Sequence, residues 1–182
     1  MPILTWRNSL APKGAPGPVL TLAQGGTTAY TTVIPASPTP QDRKAAEDLG
    51  LWLGQICGAH FAIHDDTQPP RATEISVGRT NRLPADMLEL DLGAEGYAVG
   101  ATGRRLLLAG GARRGAINAV YAFLEEDLGC RWYDRWSSRL PEGRTLQVAP
   151  VPRSFVPALF IRDPYYFDAF DATWSLRNRT NS

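Results

Sequence analysis

Apolar and polar positions along the chain follow two different periods, and the switches between them outline the fold. Val19–Ala23 and Thr28–Ile34 are short runs rich in aliphatic, β-branched and aromatic residues, separated by Gly25-Gly26, and predict two strands. Apolar residues then recur at Ala45, Leu49, Trp52, Leu53 and Ile56, the spacing of one helix face. The start of that helix is written locally. Thr39 can cap it, Pro40 suits the first helical position, Asp42 suits the positive end of the dipole, and the helix ends near Gly58. Phe61–Ile63 and Glu74–Val77 predict strands on either side of a loop over 65–71. Tyr97–Val99 and Arg105–Ala109 predict a hairpin turning at 101–103. The second arm is apolar almost throughout, which predicts cover on both faces.

The strongest helical pattern follows Gly110-Gly111: Ile117, Val120, Tyr121, Leu124 and Leu128 share one face, and Gly129 can close the helix. Arg144–Val148 predicts a last short strand. Strands and helices in this order suit an α+β fold, a mixed sheet with two main helices packed on it. Residues 1–16, rich in Pro, Gly and Lys, read as a loose lead-in, and 17–150 as one compact domain. Residues 151–182 change character, with a linker and a new strand predicted over 155–162. An aromatic stretch follows, containing Tyr165, Tyr166, Phe167, Phe170 and Trp174, with no further segment to cover the rings. The expectation is the opening of a second domain that this sequence does not complete.

Composition narrows the function classes. The chain is 43% hydrophobic and 20% charged with a formal net charge of +1. Its arginines are scattered among acids, so a concentrated basic surface for nucleic acid is not expected. No apolar stretch reaches the about 18 residues of a membrane span, and the first residues lack the basic-then-apolar pattern of a secretory signal. Both a cytoplasmic location and export with the leader removed stay open. Cys57 and Cys130 each follow a predicted helix and read as buried free thiols, with a disulfide between them left open.

Candidate chemistry is sparse. His60 and His64 are spaced like a zinc pair, but the segment reads as a strand, and Phe61 stands where a metalloprotease needs Glu. Gly110-Gly111 lies between a strand and a helix, yet a dinucleotide fingerprint needs glycine at 112, where Ala112 stands. Arg113 and Arg114 in the first turn oppose the helix dipole; they suit an anion or a neighbouring carboxylate. The acids Asp65-Asp66 and Glu125-Glu126-Asp127 are adjacent in sequence, not opposed across a cleft, and are expected on solvated surface. No nucleophile motif appears. No catalytic residue, cofactor or metal site is therefore expected. Arg162-Asp163-Pro164-Tyr165-Tyr166 holds the ring and hydrogen-bonding groups of a sugar-contacting lip; burial of these rings inside a second domain is the alternative.

The segment Glu95–Tyr133, with its Gly110-Gly111-x-x-Arg114-Gly115 turn and the helix Val120–Leu128 leading to Cys130-Arg131-Trp132-Tyr133, carries a resemblance. It resembles the N-terminal domain shared by α-glucuronidases and β-N-acetylhexosaminidases, and is most similar to large bacterial proteins with a glycoside-hydrolase-like barrel. Ile75–Thr80 is similar to the preceding strand and loop, so the likeness spans about residues 17–180. The resemblance implies a zincin-like arrangement of mixed sheet and helices, without the zinc. It also implies that residues 151–182 hold the linker, first strand and first helix of a (β/α)8 barrel, with the catalytic acids on later strands. This domain would then be a non-catalytic accessory to a carbohydrate-active barrel. Arg162, Asp163, Tyr165 and Tyr166 would contact substrate, and Arg114 would make an interdomain or anion contact. Partners would be carbohydrate, through the parent enzyme, and the barrel. Two other readings remain: a free-standing sugar-binding module using Trp132, Tyr133, Trp136 and the tail rings, and a protein-interaction domain with no sugar role. Asn178-Arg179-Thr180 is a formal glycosylation sequon.

Overall fold

The computed structural model describes residues 7–165 and 167–181. Strands β1 (Leu20–Ala23) and β2 (Thr31–Ile34) lead into helix α1 (Pro40–Cys57), then β3 (Ile63–Asp65), β4 (Glu74–Val77) and a short helix α2 (Ala85–Leu88). The hairpin β5 (Tyr97–Thr102) and β6 (Arg105–Gly110) precedes helix α3 (Gly115–Ala122), which runs on into a π turn, Phe123–Asp127. Next come β7 (Arg131–Trp132), β8 (Ser138–Arg139), β9 (Leu146–Val148) and β10 (Arg153–Phe155), a 3-10 turn over Phe167–Phe170, and helix α4 (Ala172–Arg177).

Six strands form one mixed sheet in the order β10-β5-β6-β4-β2-β3. β2, β3, β4 and β6 are parallel, and β5 lies antiparallel between β6 and β10. α1 supplies the long crossover that parallel β2 and β3 require. Its start is the reciprocal cap its residues allow: Thr39 Oγ1 accepts from the Asp42 N–H at 3.1 Å, and the Asp42 carboxylate accepts from the Thr39 N–H at 2.9 Å. Gly58 ends it with φ 78°. The fold class is α+β, with α1 and α3 as the two main helices.

Alternation in β4 and β6 divides the core. Ile75, Val77, Leu106 and Leu108 face α1 and α3, where Leu49, Leu53, Val120 and Leu124 are fully buried. Leu107, Ala109 and Ala98 face the other way and are covered by Leu83 and Leu92, with Met87 and Leu90 beside them. β6 is thus buried on both faces, as its unbroken apolar run predicts. Both cysteines are buried and free. Burial pushes the Cys130 thiol pKa up to about 12.

Several elements differ from expectation. β3 begins at Ile63, two residues late, because Phe61 plugs the core ahead of the strand. β9 leaves the main sheet and pairs with β1, Leu20 opposite Val148, so that both strands bury their alternate residues in the helical-face core. Of the linker and strand predicted over 155–162, no strand forms beyond Phe155; Arg153–Phe155 is the strand, paired to the open edge of β5. An edge offers unpaired N–H and C=O groups, whereas no strand among the described residues lies beside 159–162. The sheet therefore continues past residue 150.

Candidate functional site

The turn after β6 is packed backbone against backbone. A Cβ on Gly110 would overlap the Ala116 backbone, one on Gly111 the Gly93 carbonyl, and one on Gly115 the Gly96 carbonyl. In return the turn's N–H groups are taken. Gly111 donates to Gly96 O at 2.8 Å, Ala112 to Gly93 O at 3.0 Å and Arg113 to Ala94 O at 2.8 Å. The glycines serve packing against the 93–96 loop.

The C-terminal end of α3 meets the tail through a seam of charges. Arg153 pairs with Glu126 at 3.0 Å and with Asp127 at 2.6 Å, and Arg179 pairs with Glu125 at 2.7 Å and with Glu126 at 3.2 Å. Tyr97 OH donates to Glu126 at 3.3 Å. This corrects the expectation of a solvated acidic run, since the Asp127 side chain is only 2% exposed and Glu125 is buried. The π turn adds a residue to the helical repeat, and the three consecutive carboxylates reach the arginines of β10 and the tail. Burial raises the Asp127 carboxyl pKa, with Arg153 opposing. Asp66 is likewise engaged: its carboxylate accepts from the N–H groups of Ala36 and Asn81, each at 2.8 Å, and ties together two loops at the ends of parallel strands.

Arg162 sits on this seam. Its guanidinium pairs with Glu95 and donates to Arg179 O at 3.2 Å and Leu159 O at 3.1 Å. Asp163 and Tyr165 face solvent, Tyr165 at 90% exposure with its ring edge-on to Phe170. Tyr166 lies outside the described residues. Arg114 Nη1 donates to Thr180 O at 3.1 Å, joining the start of α3 to the tail. Arg162 lines two clefts. One, of about 460 Å³, also carries Tyr97, Glu126, Arg153, Asn178 and Arg179. The other, of about 220 Å³, is mostly apolar, with Val156, Leu159 and Phe160. Glu95, Arg153, Arg179 and Asn181 escaped the sequence reading; the available signal was the set of arginines, Arg153, Arg162, Arg177 and Arg179, in the ring-rich tail.

Aromatic residues separate into buried and presented groups. Trp132 is buried, its ring edge-on to Trp52 at 5.4 Å and Tyr121 at 5.2 Å. It is therefore no sugar platform in this fold. Tyr121 OH donates to the buried Asp48 carboxylate at 2.8 Å, and burial, with that carboxylate, raises the Tyr121 pKa. Trp136 is 77% exposed at the tip of the β7–β8 hairpin. The tip is fixed by Asp134, which accepts from the N–H groups of Trp136 and Ser137 and whose pKa those bonds lower. The Arg135 guanidinium lies 4.8 Å from the Trp136 ring and 4.3 Å from that of Phe167. His60 is exposed and His64 lies in β3, and among the described residues no three His, Cys, Asp or Glu are placed to hold a metal.

No protein-family model and no curated protein matches the sequence. Solved structures do match. A mutant Streptomyces plicatus β-hexosaminidase in complex with its product GlcNAc is similar with a TM-score of 0.54 and 12% identity, over 88% of this chain and 29% of that one. A 4-O-methyl-α-glucuronidase with specificity for decorated arabinogalactans is similar over 59% of this chain and 13% of that one, with a TM-score of 0.36 and 20% identity. The likeness is one of fold at a distance: a glycoside-hydrolase-like fold, in a chain spanning 29% of the length of the β-hexosaminidase it matches.

Proposed function

We propose that this chain is a non-catalytic accessory domain of a glycoside-hydrolase-like protein, buttressing a carbohydrate-active barrel to which residues 151–182 lead. The observation that carries the reading is the contrast between a closed two-faced core and an uncovered apolar tail. Phe160 is 83% exposed, Ile161 69% and Leu159 67%. Such a run on a soluble chain suits burial against another body. The β-hexosaminidase likeness supports the choice of enzyme class, with its GlcNAc product belonging to that protein. In this reading Asp163 and Tyr165 are the groups free to line the rim of a sugar cleft, while Arg162 holds their loop in place.

The test is turnover. Purified chain incubated with aryl-glucuronides and aryl-N-acetylglucosaminides is expected to release no aryl alcohol, and sustained release would overturn the accessory reading. One observation favours a second reading, a sugar-binding module: the exposed Trp136 ring on its fixed hairpin tip. Millimolar binding in a titration with oligosaccharides, lost in Trp136→Ala, would select it.

A further inference from the structure

We infer that residues 156–165 form a strap held on the body by charge, an ionic latch that opens at raised ionic strength while the sheet and both long helices stay folded. Its side chains are partitioned in the reverse of the usual sense. Val156, Leu159, Phe160, Ile161 and Tyr165 all point to solvent, between 51% and 90% exposed, so apolar burial contributes little to holding the strap down. What holds it is polar. The Arg162 guanidinium pairs with Glu95, the two side chains being 22% and 12% exposed. Asn181 then closes a loop on the strap: its side-chain oxygen accepts from the Arg162 N–H at 2.6 Å, and its amide donates to Phe160 O at 2.6 Å. Its own backbone N–H donates to Arg162 O at 3.2 Å.

A second feature bears on the same point. Arg179 has φ 55°, and among the described residues it is the non-glycine with positive φ. L-residues with side chains rarely hold that conformation. Here its carbonyl accepts from Arg162 Nε, and its guanidinium is fixed by Glu125 and Glu126. The conformation ends α4, with Thr180 N–H donating to Ser175 O at 3.0 Å, so the Arg179 carbonyl is presented to Arg162 from a helix end that does not depend on the strap.

The neighbouring helix is held differently. In α4, Trp174 is 6% and Ser175 3% exposed, and Leu176 packs against the core. Salt screens partly exposed ion pairs over a distance that shrinks from about 10 Å at 0.1 M to about 3 Å at 1 M, and does not weaken apolar burial. The strap and α4 therefore respond differently to the same change.

The experiment is amide hydrogen exchange read by mass spectrometry on the full chain, at low salt and at about 1 M NaCl, at one pH. The Arg162 amide, the strap N–H that donates to Asn181, and the Asn181 amide that donates to Arg162 O are expected to exchange several-fold faster in high salt, while the amides of β4, β6 and α3 are unchanged. Glu95→Gln at low salt should give the same strap-specific gain. Equal protection in both salts overturns the latch, and so does a strap that is unprotected from the start or one that opens only together with the sheet. The wild-type salt comparison decides even where the variant folds poorly. The glycosidase assay has no bearing on any of these outcomes.

Discussion

At Gly115 there is no room for a methyl group, because its neighbours are main chain: the Gly96 carbonyl and the Gly110 backbone. Side chains can yield to an added Cβ; a helix start wedged against a paired loop cannot. Gly115→Ala is accordingly expected to destabilise the chain by about 2–3 kcal/mol, the usual cost of overpacking with a backbone shift, measured as a lowered urea midpoint. Gly143→Ala serves as the comparison. Its Cβ would meet one carbonyl, Thr145 O, at 3.4 Å, and it lies on the surface, so a change within about 0.5 kcal/mol is expected. Equal stability of Gly115→Ala and wild type would mean that the 93–96 loop is not locked on the turn.

Among the elements, α1 shows what local chemistry specifies. Thr39→Ala removes a hydroxyl that satisfies an orphan N–H and breaks the reciprocal cap, for an expected loss of about 1 kcal/mol. In a chain of this size that lowers the thermal midpoint by about 2–4 °C, and an unchanged midpoint would remove the cap from the account. The start, stop and buried face of α1 were legible because every determinant lies within a few residues of the helix. The π turn was not. Its shape serves Arg153, 26 residues from Asp127, and Arg179, 54 residues from Glu125, and no local pattern reports such partners. β9 illustrates an intermediate case, since alternation marks a strand without saying that β1 is its neighbour. Residues 159–162 show the limit: a short apolar run reads alike as a buried strand and as an exposed segment, and only the presence of a neighbour separates them. Of the candidate site, Arg162, Asp163 and Tyr165 were singled out by residue type. The commitment of Arg162 to Glu95 and to main-chain carbonyls was visible only in three dimensions.

Across the molecule, two regions obey opposite rules. From β1 to β10, apolar side chains turn inward on both faces of the sheet. From Val156 to Tyr165, the Arg162 guanidinium turns inward to Glu95, and the large apolar side chains face out together with Asp163. Folded chains leave much apolar surface exposed, but a contiguous apolar run above an ion-paired seam is unusual and suits contact with another body. The first region is expected to close its core by itself and the second to add nothing to that closure, with α4 adding a modest share through Trp174 and Leu176. The most direct measurement is urea unfolding of a chain ended after Pro157, followed by circular dichroism. A native-like spectrum and one cooperative transition are expected, with stability lower by roughly 3 kcal/mol for the lost burial of the α4 side chains. A chain with no cooperative transition, even in a stabilising osmolyte, would contradict it by showing that the tail is part of the fold it was taken to leave.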